Sequence, residues 1–133
     1  VSVTPSDWLN EARRYAESAE EISLRTAVSR GYYAGYHRAL EVSCLCPNPP
    51  PFPDKTQGVH ASLIRRFDSA PKSLLGSALA REIGVYLTRG RALRVIADYK
   101  LGKTIRINDA RRSIYCAEQI DKLATALVEK HTQ

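Results

Sequence analysis

Arg30, Tyr33 and His37 stand at steps of three and four residues in the stretch Ser29-Arg30-Gly31-Tyr32-Tyr33-Ala34-Gly35-Tyr36-His37-Arg38-Ala39-Leu40. On a helix they fall on one stripe, with Arg30 and His37 about 20° apart around the axis and about 10 Å apart along it. A cation, a phenol and an imidazole pointing the same way could serve proton transfer beside an anionic group. The imidazole, with an unperturbed pKa of about 6.5, can take a proton near neutrality. The guanidinium can answer developing negative charge. Tyr33 could orient a bound group. His60 is a second candidate base, and Arg65, Arg66 and Arg94 add positive charge. Gly31 and Gly35 each cost a helix about 1 kcal/mol and admit a close neighbour, whether a backbone or a substrate.

The same residue types also have a structural use. A tyrosine, an arginine and an aspartate on neighbouring helices form buried hydrogen-bonded networks. Arg94 or Arg30 is expected to pair with Asp98, with Tyr32, Tyr33 or Tyr99 satisfying what remains. For His60 the structural use is capping a helix or lining the core edge. Other templates are absent: there is no glycine-rich phosphate loop, metal-ligand cluster or Ser-His-Asp set, so neither metal nor cofactor is expected. Three cysteines, Cys44, Cys46 and Cys116, are an odd count that argues against a disulfide framework. Cys44-x-Cys46 lacks the second pair that zinc would want.

The elements that must position these residues are helical. Thr4-Pro5-Ser6-Asp7 opens a first helix to about Glu20, with Trp8, Leu9, Ala12, Tyr15, Ala16 and Ala19 on its apolar side. Ser23 caps a second helix to near Cys46, whose seam of Leu24, Ala27, Val28, Gly31, Ala34 and Gly35 suits close packing. The proline-rich run 47–53, in a loop reaching to residue 56, cannot continue it and reads as an extended, stiff surface connector. A third helix spans 57–68. A fourth runs from Ser73 to about Tyr99, with Gly84 and Gly90 as points of bending, and Arg81, Arg89, Arg91 and Arg94 make it the most basic element. Asn108 caps a fifth, to about Lys130. With no alternating strand, the expected fold class is all-α: an up-and-down bundle of about five helices in one domain, 1–133.

Lys+Arg of 20 against Asp+Glu of 14 gives a net charge of +6, and arginine outnumbers lysine 14 to 6. That balance favours nucleic acid or an acidic partner, and arginine suits bidentate contacts to phosphate or carboxylate. A hydrophobic fraction of 44% and mean hydropathy of −0.32 are those of a soluble protein. No apolar run approaches the roughly 20 residues of a membrane span. VSVTPSDW has neither the basic head nor the apolar stretch of an export signal, so no membrane association and a cytoplasmic location are expected.

Ser29-Arg30-Gly31-Tyr32-Tyr33-Ala34-Gly35-Tyr36-His37 resembles the Ser-Arg-x-Tyr-Tyr-Ala-x-Phe-His signature of HEPN domains, in the branch often encoded beside minimal nucleotidyltransferases. His60 with Leu63 and Phe67 resembles that branch's third helix. Arg94-Val95-Ile96-Ala97-Asp98-Tyr99 resembles its Arg-x-x-Ala-Asp-Tyr ending to the fourth. The resemblance spans roughly residues 7 to 128. It implies a HEPN-like bundle that forms a two-fold homodimer, and two kinds of activity.

One is a metal-independent endoribonuclease, a toxin or defence effector, whose Arg-x4-6-His pairs meet at the dimer interface. Its candidate catalytic residues here are Arg30, His37 and His60, with Tyr33, Arg94, Asp98, Tyr99 and Arg65 as candidate substrate contacts. The other is a non-catalytic module that binds a nucleotidyltransferase or another protein partner. The chain departs from the ribonuclease pattern late in the fourth helix, where Arg94 to Tyr99 holds Asp98 and no histidine. Arg30-x6-His37 meets the spacing in the second helix instead.

Overall fold

The computed structural model describes residues 2–71 and 76–132. Among the described residues five helices make the fold: α1 (Pro5–Ala16), α2 (Glu21–Val42), α3 (Val59–Asp68), α4 (Ser77–Tyr99) and α5 (Ile107–Thr132). A 3-10 turn, Ser43–Leu45, extends α2, and there is no strand among the described residues. The fold is all-α and compatible with a helical bundle.

Local chemistry starts and stops these helices. The Thr4 hydroxyl accepts the Asp7 N–H, and the Asp7 carboxylate accepts the Thr4 N–H, a reciprocal box with Pro5 at the first helical position. α1 ends at Ala16 rather than Glu20, because residues 17–20 form the turn that folds α2 back along it, with the Ser18 hydroxyl accepting the Glu20 N–H. α2 then begins at Glu21, two residues before the expected Ser23 cap. Glu21 suits that end twice over, as a negative charge at the helix N-terminus and as the partner of Arg25 one turn on. α5 begins at Ile107, with Asn108 inside the first turn and the Asp109 carboxylate accepting the Arg106 N–H. The expected start of α4 at Ser73, with Leu74 and Leu75, lies outside the described residues.

α2 is the central helix and packs on α1, α4 and α5. Its small residues explain the intimacy with α5. A Cβ at Gly31 would lie 2.6 Å from the Ser113 hydroxyl oxygen, and one at Gly35 would lie 2.8 Å from Ile120 Cδ1. The Ser113 hydroxyl itself donates to the Val28 carbonyl at 2.8 Å, joining the two backbones. The glycines of the motif therefore admit α5. Gly84 and Gly90 likewise do not break α4, which runs unbroken from Ser77 to Tyr99. They are close-approach points, Gly84 for Asp68 and Gly90 for the Tyr32 ring.

The core has two parts. Leu63, Phe67, Ile83, Leu87, Ile120 and Leu127 join Tyr32 and Tyr36 in the larger one. Leu24, Ala27, Val28, Leu93, Ala97, Ile105 and Ala110 form the smaller one under the α4–α5 turn. Val59, in the first turn of α3, is exposed. The proline-rich segment is pinned to α3 by Arg66, which donates to the Pro50 carbonyl at 2.9 Å and lies over the Phe52 ring.

Candidate functional site

The polar face of α2 meets α1, α3 and α4 in a cluster of aromatic rings. Tyr32 and Tyr36 are buried within it, while Tyr33, His37 and His60 are half-buried. The His60 ring packs on all three tyrosines, at centroid distances of 5.3, 5.9 and 5.1 Å from Tyr32, Tyr33 and Tyr36. Its Nδ1 lies 2.7 Å from the Tyr32 hydroxyl. Nε2 has no hydrogen-bond partner among the described residues. Burial, and then the charges of Arg94 and Arg91, hold the His60 pKa below its ordinary value and so favour the neutral imidazole. Burial pushes the Tyr32 phenol well above its ordinary value, against the opposing pull of the same two arginines.

Arg94 closes the cluster from α4. Only 8% exposed, its guanidinium lies 5.5 Å from the Tyr32 and Tyr33 rings and 5.6 Å from Tyr99. It donates to the Tyr33 hydroxyl at 2.8 Å and approaches the Asp98 carboxylate at 3.9 Å. Asp98 also accepts from the Ser29 hydroxyl at 3.3 Å. The Arg94 Nε is buried without a hydrogen-bond partner among the described residues. Tyr99, 70% exposed, offers the cation one ring face from outside.

His37 and Arg30 meet through a residue the sequence did not nominate. The Trp8 indole lies 5.6 Å from the His37 ring, 5.9 Å from Tyr33 and 5.1 Å from the Arg30 guanidinium. Arg30 lines a concavity of about 500 Å³ with Asp7, Glu11 and Tyr15, and His37 lines another of about 270 Å³ with Leu40 and Glu41. Trp8 borders both. Burial lowers the His37 pKa, and the Glu41 carboxylate opposes that shift.

The fold thus joins Tyr33, His37, His60, Arg94, Asp98 and Tyr99 through the Tyr32 and Tyr36 rings. Among the described residues, Arg30 is reached by way of Trp8. Arg65 turns instead to Asp54, at 2.9 Å, on an exposed face of α3, and shares a groove there with Arg91. Trp8, Tyr32, Tyr36 and Arg91 complete the site. Trp8 lay in plain view on the apolar side of α1, but helical period alone does not say which neighbour an indole will cover. Arg91, one turn before Arg94, carried the same-face spacing that would have found it.

Among the described residues no group of three or more His, Cys, Asp or Glu is placed to hold a metal ion, and no helix is long and apolar enough to cross a membrane. The cysteines are unpaired, and burial pushes the Cys46 thiol up to about 12. Comparison of the chain with protein-family models, curated proteins and solved structures finds no match.

Proposed function

We propose that this chain is a HEPN-like bundle acting on RNA as a metal-independent endoribonuclease, with His60 as base and Arg91 and Arg94 as the cations beside it. The observation that carries this reading is an imidazole whose Nδ1 lies 2.7 Å from the Tyr32 hydroxyl, with burial and then two arginines lowering its proton affinity. The chemistry uses the tautomer protonated on Nδ1. Donation from Nδ1 to the Tyr32 oxygen leaves the Nε2 lone pair to take the 2′-hydroxyl proton. The 2′-oxygen attacks phosphorus, the bond to the 5′-oxygen breaks, and that oxygen takes a proton from water. A 2′,3′-cyclic phosphate and a 5′-hydroxyl result. His37, beside the same tyrosines, serves in support, and a two-fold homodimer would double the set. A minimal nucleotidyltransferase fits as antitoxin or as complex partner.

A second reading, a non-catalytic module binding such a partner, is favoured by a different observation. Arg94 is enclosed by three rings and the Tyr33 hydroxyl, and Arg30 lies against Trp8, as groups committed to the fold would.

Induced expression in a bacterium, followed by purified protein on total RNA in EDTA, separates the two. Growth arrest and cleavage that are lost in His60→Ala but largely kept in Arg30→Ala support the ribonuclease reading with the base on α3. Loss in His37→Ala alone moves the base to α2. Intact RNA with wild-type protein refutes catalysis and leaves the binding module.

A further inference from the structure

Next to His60 on α3, α3 and α4 flank an open groove of about 460 Å³, bordered by Ile64, Arg65, Asp68, Thr88 and Arg91. That volume suits one nucleotide. Its cations differ in availability: Arg65 is tied to Asp54, whereas Arg91 has no ion pair or hydrogen bond among the described residues. Arg91 is also the groove residue whose charge reaches His60. The acceptors are Asp68 on α3 and Thr88 on α4. The Asp68 carboxylate has no hydrogen-bond donor among the described residues and sits over Gly84, where a Cβ would come within 2.0 Å of Oδ1. Asp68 is an exposed residue, and the partial burial of its carboxyl shifts the pKa upward. The Thr88 hydroxyl hydrogen is committed to the Gly84 carbonyl at 2.9 Å, so its oxygen is left to accept.

We propose that this groove is a nucleotide subsite in which Asp68 reads guanine and Arg91 holds the phosphate. The inference rests on the RNA reading above and gives that site a base preference. Guanine is the base that presents two parallel donors, N1–H and the N2 amino group, to a single carboxylate. Adenine and cytosine offer one amino group on that edge, and uracil one imino N–H. An acceptor-lined groove with one unpaired cation therefore selects a guanosine phosphate over the other three. Gly84 keeps the space that the carboxylate occupies, while Ile64 supplies an apolar wall for the base.

The test titrates wild-type protein, without RNA, with the four nucleoside 3′-monophosphates, followed by amide chemical shifts. Guanosine 3′-monophosphate binds about tenfold tighter than the others, as a bidentate base contact predicts, with shifts centred on Asp68 and Thr88. Asp68→Asn, nearly isosteric, brings the four to within about twofold of one another, and Arg91→Gln weakens all four alike. Equal binding of the four, a guanine preference that survives Asp68→Asn, or no binding at millimolar nucleotide overturns the proposal. Cleavage of RNA without preference at guanine overturns it too, while leaving the ribonuclease reading standing. Guanosine binding by a protein that leaves RNA intact refutes the ribonuclease and keeps the subsite.

Discussion

Arg25→Ala is expected to be among the most damaging single substitutions outside the apolar core. Arg25 is 7% exposed, and its side chain caps the C-terminal end of α4 from α2. Nη1 donates to the carbonyls of Ile96, Ala97 and Lys100 at 3.2, 2.9 and 3.4 Å. Nη2 donates to Leu101 at 3.4 Å and to Lys103. Both Nε and Nη2 also engage Glu21, whose carboxylate accepts the Ile105 N–H as well. The Arg25 bond, and next that N–H, hold the Glu21 pKa below the usual carboxylate range.

A guanidinium here neutralises the negative end of the α4 dipole and orders the α4–α5 turn. After truncation, the carbonyls of exposed Lys100 and Lys103 rehydrate, so five contacts do not count as five losses. Two well-formed charge-assisted bonds at about 1.5–3 kcal/mol each, less about 2 kcal/mol of side-chain entropy regained, leave a net loss of about 3 kcal/mol. That is a large share of a typical stability of about 5–15 kcal/mol and corresponds to a melting temperature lower by about 10 °C. Urea denaturation with a shared m-value measures it. Arg25→Lys keeps the charge but not the planar fork and should fall between wild type and alanine, while Glu21→Gln, at an exposed partner, should do less than either. A loss below about 1 kcal/mol in Arg25→Ala, or full rescue by lysine, would refute the idea that the fork holds the turn.

Two further outcomes follow from the packing and the charges. Gly31→Ala gains about 1 kcal/mol of helix propensity yet should destabilise by about 1–3 kcal/mol net, because the new methyl meets Ser113 and forces α2 from α5; denaturant midpoints decide the sign. For His60 the folded pKa is depressed, so the unfolded chain binds the proton first. Its contribution to stability is complete above about pH 6.5 and declines as pH falls from there toward the folded value. Stability curves should therefore slope down from pH 7 to 5, less steeply in His60→Gln, and the His60 ring protons should titrate below pH 6.5 by NMR.

The helices and their faces were legible because their signals are local. Thr4 and Asp7 cap α1 from three residues apart, and the seam Leu24, Ala27, Val28, Gly31, Ala34 and Gly35 is wholly buried. Boundaries slipped where a plausible cap competed with a favourable first-turn charge, as at Ser23 against Glu21. Tyr33, His60, Arg94, Asp98 and Tyr99 could be named because their residue types are unusual for a plain core. The pairing of Arg94 with Asp98, one turn on, and with a motif tyrosine was legible too. The partner of His60 was not, because Tyr32 meets it across 28 residues of chain.

Trp8, Arg25 and Asp68 mark the boundary most clearly. The sequence by itself determined that Trp8 lies on an apolar stripe, that Arg25 sits four residues from a carboxylate, and that Asp68 ends α3. Only the tertiary structure decided that Trp8 covers both Arg30 and His37, that Arg25 caps a helix more than seventy residues away, and that Asp68 stands over Gly84. Periodicity and capping arise within a turn or two of chain. The register and crossing of one helix on another arise from side chains interlocking across the whole core, which no local spacing encodes.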